Sequence, residues 1–160
     1  AAFIKESHPG MGIGVAGYPE VHPEAVDAEY DLRYLKLKLD QGGDFAITQL
    51  FFDNTLYFDF VAKARSIGID KPIIPGIIPV VSLKVIQRII SLCGAKLPAP
   101  YLAELEAADR SGGAAAVQEV GVAPARRQAE ELLAAGVPGV HIYTLNREQV
   151  VLDLVQGLLP

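Results

Sequence analysis

Four short, almost uninterrupted apolar runs constrain this chain more than anything else in it. They are Ile13-Gly-Val-Ala-Gly-Tyr18, Phe45-Ala-Ile-Thr-Gln-Leu50, Ile73-Ile-Pro-Gly-Ile77 and Val140-His-Ile-Tyr-Thr-Leu145. Runs this short and this apolar read as strands covered on both faces, the habit of parallel sheets. After each comes a segment of helical period. Ala28, Leu32, Leu35 and Leu39 recur at spacings of 4, 3 and 4 on one helical face. A second helix is predicted from Asn54 to Ile67, with Asn54 as N-cap, a stripe of Tyr57, Phe58, Val61 and Ala64, and Gly68 as its stop. A third is predicted from Ser82 to Leu92, capped by Ser82 and ended by Gly94. The long connection onward holds a short helix near Pro100 to Ala108, a Ser111-Gly-Gly turn and a longer helix ending at Ala135-Gly136, in which Pro124 should kink the helix or shift its start. A last helix follows Asn146.

Helices between successive strands imply parallel strands joined by crossovers, which leaves an open α/β sheet or a β/α barrel. Four β/α units in 160 residues make about half of the roughly 250 residues usual for an eight-fold barrel. No repeat or linker divides the chain, so residues 1–160 read as one partial domain. The N-terminal stretch lacks an initiator Met and a signal-peptide pattern, and reads as a cut from a longer chain. A net charge of −5 and pI near 5.1 lack the basic field that nucleic acid requires. No apolar stretch reaches the length of about 18–20 residues that a membrane span needs. The lone cysteine, Cys93, fits a reducing compartment, and a cytoplasmic location is expected. Three scattered histidines make no metal site, and no glycine-rich nucleotide motif occurs.

In parallel α/β folds ligands sit at the carboxyl ends of strands, so polar residues there carry the most information. Tyr18-Pro-Glu-Val-His22-Pro-Glu places an aromatic ring, two carboxylates and an imidazole on one short loop. That loop is either a proline-stiffened turn before the next helix or a device for aiming His22. Gln49 ends an otherwise apolar strand, as a hydrogen-bonded core amide or as a donor and acceptor for a heterocycle. Asp31 and Lys38, seven apart on one helix, suit a ligand or simple solvation. Arg147 arrives at the start of the last helix, where the helix dipole disfavours a cation, so it answers either to an anion or to a surface ion pair.

Taken together, Ala16-Gly-Tyr-Pro-Glu-Val-His-Pro-Glu-Ala25, Ala46-Ile-Thr-Gln-Leu-Phe-Phe-Asp53, Ile74-Pro-Gly-Ile-Ile-Pro79 and His141-Ile-Tyr-Thr-Leu-Asn-Arg147 strongly resemble the methylenetetrahydrofolate reductase family in sequence, order and spacing. The resemblance implies an α/β fold of the (β/α)8 TIM-barrel type, with this chain supplying the last four β/α units. It implies FAD as cofactor, with Tyr18, His22, Asp31 and Lys38 at FAD-contacting positions. It implies Gln49 at the position that meets the folate pterin, and Tyr143 and Arg147 at positions lining the substrate cleft. The implied reaction is FAD-dependent reduction of methylenetetrahydrofolate by NADH or NADPH, within methionine synthesis. The family's protonating glutamate falls outside this chain, which therefore carries no assigned catalytic residue. Gly17 stands where the family often has alanine, and Pro124 is unusual for its helix. The expected partners are the missing N-terminal half or a second copy, and a homo-oligomer is anticipated. The competing reading is a non-catalytic half-barrel that binds flavin or folate or serves as an assembly subunit.

Overall fold

The computed structural model describes residues 1–158. A short helix α1 (Ala2–Ser7) precedes strand β1 (Gly14–Gly17), helix α2 (Ala28–Asp40), strand β2 (Phe45–Thr48) and helix α3 (Asn54–Ser66). Then follow β3 (Ile73–Ile74), β4 (Gly76–Ile77), α4 (Leu83–Cys93), α5 (Ala99–Ala134), β5 (His141–Ile142) and α6 (Glu148–Val155). All pairings are parallel, in chain order: Gly14 to Gly17 lie against Phe45 to Thr48, and Ala46 and Ile47 against Ile73 and Ile74. Gly76 and Ile77 lie against His141 and Ile142. The fold is thus the alternating α/β arrangement expected from the four apolar runs.

The third run differs from expectation. Pro75 cannot donate to a ladder, and the run divides there into β3, which pairs with β2, and β4, which pairs with β5. Thr48 bridges the seam: its hydroxyl accepts the Gly76 N–H at 2.9 Å, continuing by side chain what the backbone ladder ends. The Pro75 carbonyl meanwhile accepts the His141 N–H at 2.8 Å.

Helices cover one face of the strands. Leu35 and Leu39 of α2, Tyr57, Phe60 and Ala64 of α3, and Ala129 and Leu132 of α5 enclose Ala46, Ile73 and Ile77 in one core cluster. A second cluster joins Leu50, Ile78 and Val80 to Ile86 of α4 and to Leu105, Ala108 and Val117 of α5. Strand side chains alternate between faces, and those opposite Ala46 and Thr48, namely Phe45 and Ile47, stay partly exposed. Full cover on both faces, expected from the sequence, is therefore reached on the helix side alone.

Local chemistry sets the helix ends, with two corrections. Ser82 caps α4 by accepting the Val85 N–H, and Gly94 ends it at φ 76°. Asp53, not Asn54, caps α3, because its carboxylate takes the Thr55 N–H at 2.9 Å. Asn54 instead donates to the Gln128 carbonyl and the Glu131 carboxylate of α5. The break in α5 falls at Gly113, inside the expected Ser111-Gly-Gly turn, and not at Pro124; the Gly113 φ of 63° and ψ of −149° are a glycine conformation. The backbone stays helical through Pro124, and one turn away Gly121 lets α5 approach Val80 so closely that its carbonyl accepts both the Val80 N–H and the Tyr101 hydroxyl.

Candidate functional site

β1 and β2 end side by side, and the residues just past them, Tyr18 and Gln49, open onto two adjoining cavities. The first, about 330 Å³, is lined by Tyr18, His22, Glu24 and Ala25 from the β1–α2 loop and by Tyr30, Asp31, Tyr34 and Lys38 from α2. Four residues singled out in the sequence, Tyr18, His22, Asp31 and Lys38, therefore share one wall-to-wall space. The second, about 520 Å³, shares Tyr18, His22 and Glu24 and adds Pro23, Gln49, and Ile89, Leu92 and Cys93 of α4.

The first cavity is organised by Asp31. Its carboxylate accepts the His22 backbone N–H at 2.9 Å, tying the loop to the opening turns of α2. The imidazole Nδ1 of His22 accepts the Glu24 N–H at 3.1 Å, so a neutral ring carries its proton on Nε2, free to donate into the cleft. The Tyr18 and His22 rings meet edge to face, centroids 4.6 Å apart. Burial raises the Tyr18 pKa, with Asp31 and Cys93 adding to it, so the phenol remains a donor at neutral pH. Lys38 reaches the Ala16 carbonyl at 2.6 Å, leaving two ammonium hydrogens. Burial pulls its pKa down and the Asp31 carboxylate opposes that shift.

Gln49 hydrogen-bonds within its own segment: its Oε1 accepts the Leu50 N–H at 2.9 Å. Its amide NH2 makes no hydrogen bond among the described residues and is the group it offers the second cavity as a donor, while one of the two lone pairs of Oε1 is taken.

Tyr143 and Arg147 do not join this constellation. Tyr143 donates its hydroxyl to the Thr48 carbonyl at 2.9 Å and lines neither cavity. A Cβ on Gly76 would run into the Thr48 carbonyl oxygen, a backbone atom, and would also lie 2.8 Å from the Tyr143 ring, which together account for glycine there. Arg147 is the N-cap residue of α6 and lines a separate space with Thr144, Asn146, Glu148, Val151 and Leu152. Sequence reasoning missed Tyr30 and Tyr34, one helical turn apart with rings 4.7 Å between centroids, and the α4 residues Ile89, Leu92 and Cys93. Tyrosines at i and i+4 on an otherwise charged helix face were the available signal. Among the described residues no cluster of His, Cys, Asp and Glu is arranged to hold a metal, and no helix is long and apolar enough to cross a membrane.

The strands are parallel, and their carboxyl ends, where ligands of α/β folds sit, open onto cavities walled by aromatic rings, carboxylates and one ammonium. The chain belongs to the methylenetetrahydrofolate reductase family, whose profile matches residues 2–158. It is 38% identical over 157 residues to methylenetetrahydrofolate reductase (NADH) 1 of Arabidopsis thaliana, covering 92% of this chain and 26% of that protein. It is 41% identical over 158 residues to a probable methylenetetrahydrofolate reductase (NADPH) of Caenorhabditis elegans, covering 98% and 24%. The 5,10-methylenetetrahydrofolate reductase of Escherichia coli is 41% identical over 138 residues, covering 86% of this chain and 46% of the relative. The chain thus spans less than half the length of each of these curated relatives. Among solved structures, an uncharacterized protein from Clostridium thermocellum that binds two copies of 5-methyl-5,6,7,8-tetrahydrofolic acid superposes with a TM-score of 0.69 at 18% identity. That likeness covers 98% of this chain and 57% of the neighbour, and it concerns the fold.

Proposed function

We propose that this chain supplies the last four β/α units of an eight-fold β/α barrel that holds FAD and reduces methylenetetrahydrofolate to methyltetrahydrofolate, with NADH or NADPH as donor. One observation carries the reading: Tyr18, His22, Asp31 and Lys38 converge on a cavity that runs, through Tyr18 and His22, into the one holding Gln49. The donor set fits a flavin dinucleotide. Tyrosine rings offer faces to planar heterocycles, the Lys38 ammonium complements a pyrophosphate, and the Asp31 carboxylate accepts from hydroxyls. The chemistry that FAD supplies when bound is hydride transfer between nicotinamide and folate.

The chain's own residues bind and orient. Lys38, anchored on Ala16, presents a fixed charge rather than a mobile one. His22, held at its backbone by Asp31 and with Nδ1 taken by the Glu24 N–H, has Nε2 as its remaining ring nitrogen for a ligand in the cavities it lines. Gln49 presents its NH2 to an acceptor on the folate heterocycle. Tyr143, by resemblance a cleft residue, acts here by securing the β2 end beneath Gln49, and Arg147, at the start of α6, stands apart from both cavities. Proton delivery to the folate belongs to the half of the barrel outside this chain.

Titrating the chain with FAD, followed by tyrosine fluorescence, tests the reading. Saturable quenching is expected, weakened by about tenfold or more in Lys38→Ala, since a charge-assisted hydrogen bond is worth roughly 1.5–3 kcal/mol. Lys36→Ala, which removes an ammonium paired with Asp40, should leave affinity unchanged. Absence of saturable binding, or equal loss in both variants, overturns it.

A further inference from the structure

The β1–α2 loop contains a conformation that its cavity contacts do not explain. Val21, a β-branched residue, sits at φ 72°, in the left-handed region that such side chains avoid. A conformation of that kind persists only where its surroundings over-determine it. On one side the Val21 N–H reaches the Tyr18 carbonyl at 3.2 Å, and on the other the His22 N–H is held by Asp31. The third hold comes from Glu20, whose two carboxylate oxygens lie 3.1 and 3.2 Å from the Lys96 backbone nitrogen.

Lys96 lies three residues past Cys93, the end of α4, so this contact joins two parts of the chain that form opposite walls of the second cavity. Tyr18, His22, Pro23 and Glu24 stand on the loop side, and Ile89, Leu92 and Cys93 on the α4 side. The walls also meet at Gly94, where an added Cβ would come 3.1 Å from the Pro23 ring. Glu20 itself lines neither cavity.

We propose that Glu20 is a positioning residue: by clipping the β1–α2 loop to the α4–α5 connection it holds Val21 in its strained turn, sets the width of the second cavity and aims His22 into the cleft. The clip is a property of the loop and holds with or without a flavin in the first cavity, so its test and that of the proposed function fail separately. It also responds to acid. Burial raises the Glu20 pKa, and Asp53 on the β2–α3 loop adds repulsion, while the Lys96 N–H and the Lys96 charge oppose both. The carboxylate therefore gains its proton above the ordinary glutamate range, and the grip on Lys96 weakens as pH falls through that value.

Amide and ring NMR on the full chain, with Glu20→Gln and Glu20→Ala, decides the matter. In the unaltered chain the Lys96 amide resonance should titrate with a midpoint above the ordinary glutamate value of about 4.3, and the Tyr18 and His22 rings should show their mutual contact. Glu20→Ala should lower Lys96 amide protection by about tenfold, the loss of one ordinary hydrogen bond, and abolish the Tyr18–His22 ring contact. Glu20→Gln keeps an acceptor, so it should keep the ring contact while erasing the titration, and it decides the case where the alanine variant does not fold. A Lys96 amide indifferent to pH, or an unchanged Tyr18–His22 contact in Glu20→Ala, overturns the proposal.

Discussion

Gly121→Ala sets two rules of helix chemistry against each other, and the structure decides between them. Helix propensity alone favours alanine over glycine by about 1 kcal/mol in a helix interior. Gly121, however, is where α5 touches the chain leaving β4. A Cβ there would run into the Val80 carbonyl oxygen and lie 2.8 Å from its carbon, both backbone atoms that no rotamer change can move. The helix must shift, and overpacking of this kind costs about 1–3 kcal/mol. The shift also disturbs the Gly121 carbonyl, which accepts the Val80 N–H at 3.4 Å and the Tyr101 hydroxyl at 3.2 Å. Val80 is 1% exposed, so its N–H has no water to turn to. Two weakened hydrogen bonds add about 0.5–1.5 kcal/mol each. Set against the propensity gain, the net expectation is a loss of about 1–5 kcal/mol. Urea unfolding followed by far-ultraviolet circular dichroism measures it, with an unchanged slope and a lower midpoint. Ala123→Gly, at an exposed position two residues along, isolates the propensity effect and should lose about 1 kcal/mol. A Gly121→Ala chain as stable as the original would refute the steric reasoning.

Tyr143→Phe keeps the ring and removes the hydroxyl that satisfies the Thr48 carbonyl, so stability should fall by about 1–3 kcal/mol while FAD affinity is unchanged; an unshifted urea midpoint would contradict that placement. Gln49→Ala should weaken folate binding more than flavin retention, read by parallel titrations with each ligand, because Gln49 lies in the second cavity and not the first. Lys5 and the Ile13 N–H hold the Asp44 carboxyl below its usual pKa, so the α1 tether is complete above about pH 3.9 and is lost as pH falls through the depressed value. Acid unfolding of Asp44→Asn should lack that component, and superimposable acid profiles would remove the tether. β1 and β5 stand at the free edges of their sheets, and unpaired edges invite pairing. Sedimentation should therefore find self-association, whereas a stable dilute monomer would show the edges to be covered within the chain.

What the sequence disclosed follows from how far apart the deciding residues lie. The four strands were legible because buried parallel strands leave continuous apolar runs, and the ends of α4 were legible because Ser82 and Gly94 act within a turn of themselves. The Asp53 and Asn54 assignment sits at the limit of that range. Either side chain can cap a helix, and the choice is made by Gln128 and Glu131, far away on α5, which take up the Asn54 amide. The division at Pro75 has a local cause, its missing N–H, but the Thr48 hydroxyl that bridges the break to Gly76 acts across 28 positions and left no mark on the run itself. The site divides in the same way. Tyr18 and His22 share a loop and Asp31 and Lys38 share a helix face, so local spacing was enough to nominate them, although spacing alone did not separate a ligand from solvent. Tyr143 was nominated through resemblance, yet its hydroxyl goes to Thr48, 95 positions earlier. Glu20 was legible only as one of the loop's two carboxylates and its role was not, because its partner Lys96 lies 76 positions later and contributes a backbone N–H, which leaves no trace in residue type. Contacts made through the backbone are silent in sequence, and in this chain they are the ones that hold the cleft's walls in place.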